Sequence, residues 1–428
     1  MKTITLVLSF WGLLFFEECN AQKVDTAFAK EKIEYKRYLA EVGKSNAAYA
    51  AEKFNITISK AFVDASKVFP DPELEMGWND HGQRRMNMGY GFVTSVNWTL
   101  ELGGKRRSRI DLAKNEALLS EFLLEDYFRN LRADATLAFL EAIQKRLLLE
   151  VQHNSYAQMK KISDSDSIRY HLGDLSEVDA KQSNLEAGVL LNEVFSAEAE
   201  FKNSLTQLSL LMGKDMSDTL MYPLGKLENF YRDFSLKDLI LEAQNKRADL
   251  KAALQSNRVS QSMLKLAKAN RALDLGLSLG MEYDAYNRNY IAPTPSRSTI
   301  NVGVAIPIKF SNNRTGDLRA AQYRLLQSQQ EYRQIELVIQ SEVVQAYHTY
   351  LARQKQVKQF NLGLLRESKV ILEGKIYSYK RGESSLLEVL NAQRTHNDVQ
   401  KDYYDTLYSY AAALVELERT VGIWDIDF

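Results

Sequence analysis

Five histidines, one cysteine and a single Gly-Gly pair are the residues whose types could point to catalysis in this 428-residue chain. His81, His153, His171, His348 and His396 stand at spacings that no metal-ligand set uses, and Cys19 has no second thiol to join it. Neither a phosphate-cradling glycine loop, nor a nucleophile elbow, nor a paired-carboxylate motif is present. Gly103-Gly104 suits a strand-to-helix junction better than a phosphate site. The sequence therefore predicts no enzyme, no cofactor and no resident metal. Lys plus Arg (55) equal Asp plus Glu (55), which removes the field that would gather nucleic acid or an anionic bilayer.

The elements that would position any site come in duplicate. Leu102, Gly104 to Arg107, Ile110 and Ala113 are answered 208 residues later by Phe310, Asn312 to Thr315, Leu318 and Ala321. Ala138 and Phe139 still match Ala346 and Tyr347, and then the register slips by one, so that Tyr170 and Gly173 meet Tyr379 and Gly382. So long a constant offset marks duplication of a whole structural unit. The expected division is a signal peptide over 1–21, a first repeat over 22–213, a linker over 214–234 and a second repeat over 235–428. Ile4 to Phe16 is the apolar run of the signal, and Cys19-Asn20-Ala21 offers small residues before a cut at Gln22. Glu18 beside Cys19 argues against a lipoprotein cut.

Each repeat reads as helix, two strands, a very long helix, a turn and a shorter helix. Val24 to Val68 is helix-compatible up to Pro70 and Pro72. After Gly104 the stretch to Tyr170 holds no proline or glycine, and Leu119, Leu123, Tyr127, Leu131, Ala135, Ala138 and Ala142 form a coiled-coil seam. At ~1.5 Å per residue this helix is on the order of 100 Å long, which no compact domain accommodates. Leu175 to Met212 follows it; Leu236 to Arg271, Asp317 to Tyr379 and Leu386 to Val421 repeat the plan. Between helices, Leu273 to Tyr283 and Val302 to Phe310 alternate strictly, and Glu73 to Trp78 and Phe92 to Leu102 have the same two-faced character. A soluble antiparallel sheet is the commoner cause of such alternation. Here several strands reach the roughly 9 to 11 residues that span a bilayer, and no sequence is left over to cover the apolar face. Four strands cannot close a barrel that needs about eight, so the chain must oligomerise; three copies supply twelve. The fold class is mainly α with a transmembrane β part: a duplicated long-helix coiled-coil α-barrel plus four strands per chain, completing a 12-stranded barrel as a homotrimer. Loops Asn79 to Tyr90 and Asn287 to Thr299 would face outside, at the end opposite the helical turns.

This plan, with Tyr379-Lys-Arg-Gly382 and Leu387-Glu-Val-Leu-Asn-Ala-Gln393 at the second turn, resembles the TolC-like outer-membrane efflux proteins. The runs Trp98 to Arg106 and Ile306 to Arg314 are similar to the branch serving cobalt-zinc-cadmium or copper-silver pumps. The resemblance implies a trimeric exit duct in the outer membrane, in contact with its lipid, with a large periplasmic part. It also implies a periplasmic adaptor and an inner-membrane pump of the RND type as partners. The family narrows its periplasmic mouth beside the turns, which implies that role for Glu388, Asn391, Tyr379 and Glu177. Adaptor contacts would fall on Gly173, Asp174, Leu175, Gly382 and Glu383. Ser384 departs from the arginine that often completes the family's closing network. Multidrug export, type I protein secretion and a soluble periplasmic coiled-coil scaffold remain open alternatives, as does an ordinary solvated role for Glu388 and Glu177.

Overall fold

The computed structural model describes residues 29–80, 88–215, 219–228, 230–308 and 313–426; the expected signal peptide lies outside them. In chain order the elements are β1 (Ala29–Glu34), α1 (Tyr35–Ser45), α2 (Ala47–Ser66), β2 (Glu73–Asp80), β3 (Tyr90–Leu100), α3 (Lys105–His171) and α4 (Glu177–Leu211). Then come β4 (Thr219–Leu224), α5 (Leu236–Lys246), α6 (Ala248–Ala269), β5 (Leu275–Asp284), β6 (Arg297–Ala305), α7 (Thr315–Gln359), α8 (Leu365–Lys380) and α9 (Leu386–Val421). A π-helical segment, Phe360–Leu364, joins α7 to α8.

α3 spans 67 residues without a break, about 100 Å at 1.5 Å per residue. Its buried seam runs through Ala113, Ala117, Leu131, Ala135 and Ala142, whereas Leu123 is exposed. α3 packs against α2, α4, α6 and α9, and α7 packs against α6 and α9. A large apolar core built around Tyr35, Tyr38, Phe139, Ile143, Leu208 and Leu414 fills the middle of the molecule. A smaller one, with Met159, Ile162, Leu190, Val389 and Leu390, lies near the turns.

Four strands form one antiparallel sheet in the order β2-β3-β5-β6. Leu74 pairs with Val96, Val96 with Leu279 and Leu279 with Val302, and Met281 pairs with Ile300. Residues directly opposite share a face, so the apolar sets of all four strands lie on one side. Leu74, Met76, Trp78, Leu279, Met281, Ile300, Val302 and Val304 are all exposed there. Among the described residues no helix is long and apolar enough to cross a membrane.

Four expectations need correction. Ala29–Glu34 is a strand rather than the start of a helix; it pairs in parallel with β4, inside the expected linker. Local pattern could not reveal this, because the partner lies 190 residues away (Ala29 to Thr219). Both first helices of the repeats are broken, at Asn46 and Arg247, where the backbone turns extended. Asn46 holds its break by accepting from the Tyr49 N–H (2.8 Å) and donating to the Leu211 carbonyl (2.9 Å). β6 starts at Arg297 and ends at Ala305, before Pro307, which has no N–H for a ladder bond; Phe310 lies outside the described residues. Finally, the second long helix is not continuous. A π turn carries one extra residue, and Phe360–Leu364 falls between the 208-residue offset above it and the 209-residue offset below.

Candidate functional site

Both helical turns end the same way. After α3, Gly173 takes φ 83°, its N–H bonds the Tyr170 carbonyl (3.0 Å), and the Asp174 N–H bonds the Arg169 carbonyl (2.9 Å). After α8, Gly382 takes φ 76°, with Gly382 N–H on Tyr379 O and Glu383 N–H on Ser378 O, each 2.9 Å. This pair of bonds satisfies carbonyls that a helix end would otherwise orphan, and it requires the left-handed residue that glycine supplies. A Cβ at either glycine would meet nothing within 4 Å, so the backbone angle alone sets the requirement.

Serines restart the chain. Ser176 Oγ accepts from Asp179 N–H (3.1 Å) and donates to Asp179 Oδ2 (2.7 Å); Ser385 Oγ accepts from Glu388 N–H (3.4 Å). Ser385-Leu-Leu-Glu388 and Ser176-Glu-Val-Asp179 thus occupy equivalent capping places. The structural counterpart of Glu388 in the first repeat is Asp179, while Glu177 stands two residues earlier, at the first helical position of α4. Ser384 Oγ donates to the Lys375 carbonyl at 3.4 Å.

The four expected mouth residues divide into an exposed set and a buried one. Glu388 is exposed and ion-paired to Lys375 at 2.5 Å, and the ammonium holds its carboxyl below the usual range. Glu177 is exposed and paired with Lys181 at 2.7 Å, with the same effect. Asn391 is exposed on α9, one turn beyond Glu388. Asp174 and Glu383 are exposed beside the glycines, and Leu175 is half-buried. Tyr379, by contrast, is 6% exposed and packs in the smaller core. Its hydroxyl donates to Asp166 Oδ1 at 2.8 Å, and Asp166 is 0% exposed. Arg169 lies 3.8 Å from the same oxygen, with its guanidinium 5.4 Å above the Tyr379 ring. Burial raises the pKa of Asp166 and that of Tyr379, so the phenol keeps its proton and donates it.

Sequence reasoning missed Asp166. The available clue was helix phase: of the two aspartates that alternate with Ser163, Ser165 and Ser167, Asp166 falls four residues after Ile162, on the side that Met159 and Ile162 mark as buried, and Asp164 falls on the exposed side. It also missed the polar layer above: Ser155 Oγ donates to Asn397 Oδ1 (2.6 Å), Gln393 donates to the same oxygen (2.9 Å), and His396 Nδ1 lies 2.9 Å from Ser368 Oγ. His153, His171 and His348 are exposed and scattered, and His81 lies outside the described residues. Among the described residues no group of three or more His, Cys, Asp or Glu could hold a metal ion.

The arrangement is a set of helix ends tied together by interhelical hydrogen bonds. Residues 239–423 match the family model described as outer membrane efflux protein. The chain is 22% identical to the cobalt-zinc-cadmium resistance protein CzcC of Cupriavidus metallidurans over 381 residues, 87% of this chain and 88% of that one. It is 23% identical to the outer membrane protein TolC of Vibrio cholerae over 380 residues, 83% of each. The Campylobacter jejuni CmeC outer membrane channel superposes with a TM-score of 0.74 at 14% identity, covering 98% of this chain and 94% of that one. In sequence and in fold this chain is similar to the TolC-like outer-membrane efflux proteins. The sheet lies at the end opposite the turns along α3, with its apolar strand faces exposed.

Proposed function

We propose that this protein is the passive exit duct of a three-part efflux system for heavy-metal cations, working as a homotrimer with a periplasmic adaptor and an RND-type inner-membrane pump. The observation that carries the reading is the four-stranded sheet. Among the described residues its outer strands β2 and β6 each pair on one side only, and its apolar face is exposed. Unpaired edges beside lipid cost several kcal/mol per exposed group, roughly, so strands in a bilayer must close on further copies. Three chains give twelve strands, enough for a barrel. CzcC, named for cobalt, zinc and cadmium resistance, supports the choice of cargo. The two repeats, 22–213 and 235–428, would each contribute one turn to the mouth, where an adaptor meets Gly173, Asp174, Leu175, Gly382 and Glu383. No step of bond chemistry is required of a conduit, which must release what it carries.

At the mouth, Glu388 and Asn391 would face the opening, and symmetry would make of Glu388 a ring of carboxylates. Lys375 tempers that ring, because each carboxylate has an ammonium beside it. In planar bilayers Glu388→Gln should lower cation over anion permeability, Lys375→Gln should raise it, and Glu331→Gln, higher on α7, should do neither. In cells, loss of the gene should raise sensitivity to zinc, cobalt or cadmium. A strain that loses only detergent or dye resistance would turn the reading toward multidrug export. A chain that stays monomeric in buffer without detergent would make it a periplasmic scaffold.

A further inference from the structure

The repeats provide a template for a contact that one chain cannot make with itself. Asn46 and Arg247 break their helices with nearly the same backbone (φ −61°, ψ 118° and φ −62°, ψ 127°), so α2 corresponds to α6 at an offset of 201 residues, Asn46 to Arg247. α3 corresponds to α7 at 208, because buried Ala113 and Leu131 fall on buried Ala321 and Ile339. Serines check both offsets together. Ser59 on α2 bonds Ser120 on α3 at 2.8 Å, and their counterparts Ser260 on α6 and Ser328 on α7 are both buried.

Within the chain α6 sits between α3 and α7, whereas α2 has α3 as its one substantial helical neighbour among the described residues. The seam absent from a single chain is α7 against an α2. Its template, the α3–α6 seam, is polar. Gln255, 1% exposed, donates to the Asn115 carbonyl and to Asn115 Oδ1, both at 3.0 Å. Asn115 donates to Ser262 Oγ at 2.9 Å, and Arg129 stands 3.9 Å from Asp249.

Every one of these polar groups becomes apolar or aromatic at the matching place on the open faces. Phe54 stands for Gln255, Tyr323 for Asn115, Ala61 for Ser262, and Ala48 with Leu337 for Asp249 with Arg129. Phe54 is 66% exposed and Tyr323 70%, and Leu337 is likewise uncovered. Two large rings left in water at corresponding sites, each matching one half of a buried hydrogen-bonded pair, have a ready partner in one another. We infer that α2 of one copy docks on α7 of the next, with Phe54 packed on Tyr323, so that contacts between copies are apolar where the equivalent contact within a chain is polar. Ile58, exposed one turn from Phe54 and matching buried Val259, extends the stripe. The contact continues below the sheet, where β6 of one copy would meet β2 of the next. The inference rests on the proposal that copies assemble side by side.

The test is disulfide formation in the full-length chain, purified in detergent, carrying Phe54→Cys and Tyr323→Cys, read against each single variant. Oxidation should give covalent species of two and three chains in the double variant alone, and two-chain species when the single variants are co-expressed. A bond closed within one chain, or no bond although the wild type sediments as an oligomer, overturns the inference and leaves the assembly reading standing. A wild type that is a lone chain in detergent removes both. A second arm guards against misfolding. Phe54→Lys should cut the heat-resistant oligomer roughly tenfold by burying an unpaired charge, and adding Tyr323→Asp should restore most of it. A double variant as weak as Phe54→Lys refutes the pairing.

Discussion

The long helices α3 and α7–α8 come from one duplicated plan and have diverged in rigidity. α3 is unbroken, with buried residues along most of its length, including Phe139, Leu140, Ile143, Met159 and Ile162. α7 gives way at Gln359 to a π turn in which Gly363 takes φ 129° and Leu362 lies exposed, and α8 then buries Ser368, Leu372 and Tyr379. Regions with fewer buried contacts open at lower free energy. On that ground α3 is the stiffer of the two long helices, and the Tyr379–Asp166 hydrogen bond is the lock that ties α8 to it.

The largest test of this contrast is in the cores. Phe139→Ala should cost about 3–5 kcal/mol, the usual range for an emptied aromatic site, while Tyr347→Ala, its half-buried counterpart, should cost less than half of that. Denaturant unfolding in detergent would compare them, and equal losses would erase the distinction between the helices. Next comes the lock. Tyr379→Phe leaves Asp166 buried without its hydroxyl donor, a loss of about 1–3 kcal/mol, seen as faster amide exchange in α8 and in the turn at Gly382.

The lock should also respond to pH. Burial raises the folded pKa of Asp166, so the folded chain holds that proton more tightly than the unfolded chain does. Its contribution is fullest below the ordinary aspartate pKa and declines as pH rises through the raised value. Opening of the α8–α3 contact, corrected for intrinsic exchange, should accelerate over that window, and Asp166→Asn should abolish the dependence. A smaller effect is expected from deleting Gly363, which should close the π turn into α-helix and slow exchange around it, a gain of about 1 kcal/mol. Faster exchange there would mean that neighbours require the extra residue. Smallest of all, Glu177→Gln should leave the unfolding midpoint unchanged, since its pair with Lys181 is exposed on one helical turn.

Much of this architecture was legible because the controlling patterns are local or periodic. The absence of glycine and proline from 105–170 gave α3, strict alternation gave the two-faced strands, and the slip between Ala138/Ala346 and Tyr170/Tyr379 marked a one-residue insertion that the π turn accounts for. The limits of β6 and the breaks at Asn46 and Arg247 were misjudged, since alternation continues past the point where pairing stops and a single extended residue leaves no periodic trace. Near the second turn, Glu388, Asn391 and Tyr379 were all picked out by proximity alone. Whether a side chain there faces solvent or a neighbouring helix depends on helix phase, so the burial of Tyr379 and its partner Asp166 went unseen.

The parallel pairing of Ala29–Glu34 with Thr219–Leu224 has a consequence for the order of events in biogenesis. Among the described strands the first to be synthesised waits for its partner until 190 residues later (Ala29 to Thr219). Closing so long a loop costs entropy before any ladder bond repays it. Until then Ile33, Tyr35 and Tyr38, all deeply buried at the end, are displayed on a half-made chain. A nascent polypeptide in this state presents an apolar surface that is withdrawn once Met221 and its neighbours arrive, so its burial marks completion of the first repeat.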